Sequence, residues 1–234
     1  MSVLDALRGG LIVSVQAPAG SAIDDPHVLA AMAASAQANG AAGVRMQGVA
    51  NVGAARTRVS LPMIGIIKRA YPGFEPYITP TVGEVREIAA SGVEIVAFDA
   101  TGRARPANET VETLVEAIHA AGCIAMADCA SAGDAMCAVA AGAEIVATTL
   151  CGYTAETKGT TLPALALVGE FAELEAFVIC EGGIHRPEGV SAAFDAGADA
   201  VVVGTAITNT DWLVGEFAAR APKSGSGAVP KRFR

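Results

Sequence analysis

The sequence has no C-x-x-C spacing, no apolar run long enough to cross a bilayer and no excess of positive charge. Its five cysteines (Cys123, Cys129, Cys137, Cys151, Cys180) are an odd number at irregular intervals. A disulfide framework is therefore not expected, and they read as reduced thiols of a cytoplasmic protein. The three histidines (His27, His119, His185) are far apart, and none pairs with a Cys or another His at ligand spacing, so no metal site is expected. With 24 acidic and 16 basic residues the net charge is −8, which disfavours a nucleic-acid partner. The basic residues near the C-terminus (Lys223, Lys231, Arg232, Arg234) are too few to reverse that. Mean hydropathy is positive at +0.44, but it comes from scattered Ala, Val and Ile. No stretch reaches the ~20 apolar residues of a membrane span without Gly, Pro or a charge in it. The apolar run near Arg8 is too short for a signal-peptide core, so a soluble cytoplasmic chain is the expectation.

What the chain does have is alternation. Short β-branched runs at 11–16, 43–47, 62–68, 94–99, 123–128, 144–149, 177–181 and 200–204 are separated by alanine-rich segments long enough for helices. Near-continuous apolar runs predict strands buried on both faces, as in parallel sheets. One junction recurs five times: a helix end, a glycine, then a buried strand, with Gly40, Gly92, Gly122, Gly142 and Gly197 at the C-cap position. Helix starts are also legible. Asp25-Pro26 opens one helix, Thr81 with Glu84 and Ser131 with Asp134 have capping-box spacing, and Asn108 or Thr110 begins another. About eight strand–helix units in 234 residues predict an α/β fold, a single (β/α)8 barrel of the TIM type over residues 1–220, with a flexible tail over 221–234. An open doubly wound sheet is the alternative. It is disfavoured because no G-x-G-x-x-G follows the first run.

In such a barrel the chemistry sits at the C-terminal ends of the strands. The polar residues there are Gln16, Arg45 with Gln47, Lys68, Asp99, Asp128, Thr148 with Thr149, Glu181, and Gly204 with Thr205. An apolar barrel does not need so many ionisable groups in equivalent places, since each one buried alone would cost several kcal/mol, roughly. They predict one polar ligand. Lys68 reads as a general base whose pKa burial lowers, and Glu181 as a partner sharing its proton. Two glycine-bearing turns, Glu181-Gly182-Gly183-Ile184 and Gly204-Thr205-Ala206, follow the seventh and eighth runs. Barrels build phosphate sites there from backbone N–H groups. Arg186 lies near the first turn and could add charge, and His185 beside it reads as a solvated loop residue. The segment from Tyr71 to Tyr77 is too long for a plain turn and reads either as a substrate-covering loop or as an irregular connection. Asp99 could orient a lysine or arginine.

An ordered set of motifs adds to this: I-V-S-V-Q at 12–16, G-V-R at 43–45, I-G-I-I-K at 64–68, Y-I-T-P-T at 77–81, A-F-D-A-T at 97–101, M-A-D at 126–128, T-T-L-C-G-Y-T at 148–154, E-G-G-I at 181–184 and V-V-V-G-T-A-I-T at 201–208. The set resembles the bacterial N-acetylmannosamine-6-phosphate 2-epimerases of sialic acid catabolism, over about residues 3–220. The resemblance implies a TIM barrel that interconverts N-acetylmannosamine 6-phosphate and N-acetylglucosamine 6-phosphate with no cofactor, as a homodimer. It implies Lys68 as the catalytic lysine and Glu181 as its partner carboxylate, with Gln16, Arg45 and Asp128 at sugar-binding positions. Gly183 with Ile184 and Gly204 with Thr205 fall in the phosphate-binding turns, and Tyr153 lines the site. Gly183 and Asn209 stand where members usually carry basic residues, which implies either a weaker hold on phosphate or a charge supplied by Arg186. The implied chemistry is removal of the C2 proton through an enolate, with Arg45 and Gln16 as hydrogen-bond donors to the oxyanion. A Schiff-base lyase acting on a phosphorylated keto acid, and a phosphosugar-binding barrel without catalysis, are the alternatives.

Overall fold

The computed structural model describes residues 2–222. Its elements run α1 (Val3–Leu7), β1 (Leu11–Val15), α2 (Pro26–Ala38), β2 (Gly43–Gln47), α3 (Val49–Arg56), β3 (Met63–Ile66), α4 (Val82–Ala89), β4 (Ile95–Asp99) and α5 (Val111–Ala120). They continue β5 (Ile124–Asp128), α6 (Ala132–Ala140), β6 (Ile145–Ala147), α7 (Leu165–Phe171), β7 (Phe177–Glu181), α8 (Pro187–Asp195), β8 (Ala200–Val203), α9 (Thr205–Thr208) and α10 (Thr210–Ala218). All eight strands pair in parallel and in chain order, and β8 closes on β1. This is the predicted (β/α)8 barrel. Most of the expected tail lies outside the described residues.

The recurrent glycine junction makes the alternation work. Gly40, Gly92, Gly122, Gly142 and Gly197 all have φ between 76° and 106°, the left-handed region that ends a helix cheaply only for glycine. At four of them the next residue's N–H reaches back across the helix end, for example Ala143 to the Ala138 carbonyl at 2.9 Å. Asp25 caps α2, Ser131 and Asp134 form a full capping box on α6, and Thr110 caps α5. At α4 the expectation is half met. Thr81 caps the helix, but the Glu84 carboxylate accepts from the Thr81 hydroxyl rather than from its backbone N–H.

Side chains alternate across each strand, and the alternation sorts them into two cores. Val13, Val44, Met46, Val96 and Phe98 pack outward under the helices. Ile12, Ile64, Ile66, Ile95, Ala97, Met126, Ile145, Phe177, Ile179 and Val202 fill the barrel interior, where Leu7 of α1 joins them. The sequence reading did not foresee α1, a helix of one turn and a half that delivers Leu7. Several strands are shorter than their apolar runs. β3 stops at Ile66 and β6 at Ala147, so Lys68, Thr148 and Thr149 lie past the ladder.

Candidate active site

Following the inward-facing positions up the strands leads directly to the mouth. On β1 and just past it they run Ile12, Ser14, Gln16; on β3 and just past it, Ile64, Ile66, Lys68; on β4, Ile95, Ala97, Asp99; on β5, Met126, Asp128; on β7, Phe177, Ile179, Glu181. Each sequence that is apolar low in the barrel turns polar at the top. The resulting cavity has a volume of about 350 Å³, at the lower end of ligand-binding pockets.

At its floor lies Arg45, carried inward by β2 and only 1% exposed. Its guanidinium grips Asp128 with two bonds, Nη1 to Oδ1 at 2.9 Å and Nη2 to Oδ2 at 2.6 Å, and Glu181 with a third from Nη1 to Oε2 at 2.7 Å. The Thr149 hydroxyl adjoins both carboxylates, 2.8 Å from Asp128 and 3.1 Å from Glu181. Thr148 fixes Glu181 from the backbone side, with its hydroxyl 2.9 Å from the Glu181 carbonyl and 3.1 Å from the Glu181 N–H. Burial on its own would weaken the charge on Arg45. Asp128 and Glu181 outweigh that and hold it more firmly cationic than an ordinary arginine.

Lys68 and Glu181 come from strands four places apart in an eight-strand ring, so they approach the mouth from opposite sides. The expected Lys68–Glu181 ion pair is not formed. Glu181 is taken by Arg45, and no salt bridge reaches Lys68 among the described residues. The two groups are nevertheless poised in opposite senses. Surrounding protein pushes the Lys68 pKa below its ordinary value, first by desolvation and then through the Arg45 charge, against the pull of Glu181 and Asp128. Lys68 is nevertheless an exposed residue, open to solvent through the cavity, so its desolvation is only partial. Glu181 is pushed up, first by burial and then, against the pull of Arg45, by Asp128. Both shifts favour a neutral amine facing a protonated acid.

The other predicted residues divide into those on the cavity and those off it. Gln16, Tyr153, Gly183, Ile184, Gly204 and Thr205 line it with Arg45, Lys68 and Glu181. Gln16 donates from Nε2 to Ser14 Oγ at 2.8 Å, while its buried Oε1 and the Arg45 Nε have no protein partner. Asp128, expected to touch the sugar, does not line the cavity. It is fully buried and holds Arg45 from beneath. Arg186 is likewise not on the lining. It is an exposed residue at the N-cap of α8, whereas its neighbour His185, an exposed loop residue as expected, also borders the cavity and stacks on Trp212 with ring centroids 5.0 Å apart. Ser14 and Thr208 line the cavity without having been flagged by the sequence, while Thr149, one of the polar strand ends, and Tyr77, from the long connection after β3, also line it without having been assigned a role. Strand alternation alone would have flagged Ser14, the inward position two residues before Gln16.

The two glycine turns differ in kind. Gly183 has φ 71°, and a Cβ there would stand 2.2 Å from Leu162 Cβ, so no side chain fits. Gly204 leads into α9 with a Cβ position only 3.1 Å from Ser14. Both glycines line the cavity, so bare main chain borders it at each turn. Among the described residues no group of three or more His, Cys, Asp or Glu is placed to hold a metal ion, and no helix is long and apolar enough to cross a membrane.

Comparison with known proteins sets this geometry in a family. The NanE family model, described as "Putative N-acetylmannosamine-6-phosphate epimerase", matches residues 29–223. The chain belongs to the N-acetylmannosamine-6-phosphate epimerase family. A Yersinia pestis relative named "Putative N-acetylmannosamine-6-phosphate 2-epimerase" is 44% identical over 211 residues, covering 90% of this chain and 89% of its own. A Yersinia pseudotuberculosis relative of the same name is also 44% identical with the same coverage. The solved structure of the N-acetylmannosamine-6-phosphate 2-epimerase from Clostridium perfringens superposes with a TM-score of 0.91 at 40% identity, covering 94% of this chain and 96% of that one. The family model thus spans seven of the eight strands, from within α2 to beyond α10.

Proposed function

We propose that this protein interconverts N-acetylmannosamine 6-phosphate and N-acetylglucosamine 6-phosphate by moving the proton on C2. The two sugars differ only in configuration at that carbon. In the open-chain form C2 lies next to the C1 carbonyl, so loss of its proton gives an enolate. The site must supply a base, stabilise the developing oxyanion and return a proton on the opposite face. Lys68, with its ammonium disfavoured, is the base. Arg45, pinned by Asp128 and Glu181, brings a fixed positive charge into a partly water-excluded mouth, where such charge acts most strongly on an oxyanion. Glu181, across the mouth and biased towards its protonated form, is the acid on the second face. The glycine turns at Gly183 and Gly204 receive the phosphate, whose binding energy orients the distant reacting carbon.

The observation that carries this reading is the opposed shift of Lys68 and Glu181 on facing sides of one polar cavity, in a chain of the epimerase family. The test is Lys68→Ala, assayed for turnover and for uptake of solvent deuterium at C2. Turnover should fall by at least roughly 10²-fold, with exchange lost alongside it. Near-full turnover in this variant would refute the assignment. Borohydride added with substrate should leave Lys68 unmodified, and a covalent adduct there would favour the Schiff-base lyase instead. Two expectations from the sequence travel with the proposal, a cytoplasmic location and a homodimer. Cell fractionation and light scattering test them.

A further inference from the structure

The connection from β3 to α4 carries Lys68, and its construction is unusual. After Ile66 the chain leaves the barrel ladder, runs outward past Tyr71 and returns through Tyr77 to Thr81. The two limbs pair with each other. Lys68 faces Ile78 in an antiparallel bridge, the Arg69 N–H donates to the Tyr77 carbonyl at 2.9 Å, and the Thr79 N–H donates to the Ile67 carbonyl at 2.7 Å. The returning limb also docks on β4, where the Asp99 N–H donates to the Ile78 carbonyl at 2.9 Å and the Thr79 hydroxyl to the Ala97 carbonyl at 2.7 Å. Lys68 therefore hangs from a strap wedged between β3 and β4. Thr79, fully buried, has φ 43°, a left-handed conformation that is an outlier for a β-branched residue. Such conformations persist where the surroundings over-determine them, and they cluster at functional sites.

Glu84 is what ties the outgoing limb down. It stands three residues after the cap Thr81, the spacing of a capping box. At α6 the same spacing is used in the ordinary way, with Asp134 accepting from the Ser131 N–H at 3.0 Å. Glu84 does something else. It is 1% exposed, and its carboxylate accepts from the Thr81 hydroxyl, from the Tyr71 hydroxyl at 2.8 Å and from the Arg69 guanidinium. Arg69 is the residue next to Lys68 and also reaches Glu87 at 3.1 Å. A second tether holds the tip, where Arg103 bridges Glu75 at 3.1 Å and Asp99 at 2.7 Å.

We propose that Glu84 is a positioning residue for Lys68, its buried carboxylate clamping the strap through Arg69 and Tyr71 so that the amine is held over the mouth. This rests on the reading of Lys68 as the base. Burial would raise the Glu84 pKa, but the hydrogen bonds from Thr81, Tyr71 and Arg69 more than cancel it, so the clamp stays ionised. The charged groups that face Lys68 are Arg45 from β2, Asp128 from β5 and Glu181 from β7, with the Tyr77 phenol of the strap itself on the same cavity. None of these is altered by changing Glu84, so an effect on Lys68 must come through the strap.

The test uses Glu84→Gln and Arg69→Met in the full chain, with kcat, KM and the pH dependence of kcat/KM measured for each. Glu84→Gln turns a donor towards donors. Arg69→Met cuts the other half of the clamp at a more exposed position, where folding is less at stake. A loosened strap misplaces the amine and opens still more of its already exposed surroundings to water. We expect kcat to fall about 10-fold or more with KM nearly unchanged, and the limb on which activity rises with pH to move to higher pH, as the Lys68 pKa returns towards its ordinary value. A purely structural role would lower the melting temperature and the amplitude at every pH without moving that limb, and this outcome overturns the proposal, as does wild-type behaviour in both variants. Lys68→Ala separates the two claims. If it is inactive while both clamp variants match wild type, only the role of Glu84 falls. If it is active, the base assignment falls first.

Discussion

Replacing Asp128 by Asn puts the central electrostatic argument at risk most directly. Arg45 and Asp128 are 1% and 0% exposed and share two bonds, of 2.9 and 2.6 Å. Breaking a buried pair by neutralising one partner typically costs ~3–5 kcal/mol, because the other charge stays desolvated. Asparagine keeps the shape and one acceptor, and Glu181 still accepts a hydrogen bond from Arg45 at 2.7 Å, so the lower end of that range, ~3 kcal/mol, applies here. For a chain of this length each kcal/mol moves the midpoint by roughly 2–4 °C, which gives a fall of roughly 6–12 °C. Scanning calorimetry measures it. The same cost should shrink when Arg45 is also removed. The Asp128→Asn/Arg45→Met pair should therefore lose less stability than the two single changes added together, with a coupling within the ~0.5–3 kcal/mol seen for contacting residues. A melting temperature within about 2 °C of wild type for Asp128→Asn, or a strictly additive cycle, would mean that Arg45 does not depend on Asp128, and the floor of the site would need another explanation.

Two further outcomes follow from the same geometry. Lys68 titrates below its ordinary value in the folded chain, so the native state disfavours its ammonium. Lys68→Met should therefore be at least as stable as wild type at neutral pH. Its advantage should shrink as pH rises from the lowered folded value towards the unfolded ~10.4, and chemical denaturation across that range reads the difference. An advantage that grows with pH contradicts the assigned direction. Gly183→Ala combines a left-handed φ of 71° with a Cβ 2.2 Å from Leu162. The first effect costs ~1–2 kcal/mol and the second ~1–3 kcal/mol, so the melting temperature should fall by at least ~4 °C and KM for the phosphosugar should rise more than kcat falls. Wild-type stability in Gly183→Ala would show that the turn tolerates a side chain and is not the close approach described.

The barrel was legible because its signals are local and repeated. A left-handed glycine, an apolar run and a polar strand end each act within a few residues, and β2 and β7 end at the residues expected of their runs. The floor of the site was only half legible for the opposite reason. Which cation meets which carboxylate is decided across the barrel by register and tilt. Lys68 is the partner the sequence suggests for Glu181, and Arg45, rooted lower within the β2 ladder opposite Ile64, takes it instead. Asp128 was read as a ligand-facing residue because a carboxylate at a strand end looks the same from the sequence whether it faces the cavity or supports a neighbour. Arg186 drew attention by its charge, yet at the N-cap of α8 its side chain stays in solvent, where a charge needs no partner. Glu84 shows the limit most clearly. Its spacing from Thr81 matches that of Asp134 from Ser131, and nothing local separates an ordinary cap from a clamp. The difference comes from Arg69 and Tyr71, 15 and 13 residues away, on a segment whose path is set by its docking against β4. Sequence patterns report what a residue offers. In this site the role of each carboxylate is fixed by which donor the assembled barrel brings within reach of it, Arg45 for Asp128 and Glu181, Arg69 and Tyr71 for Glu84.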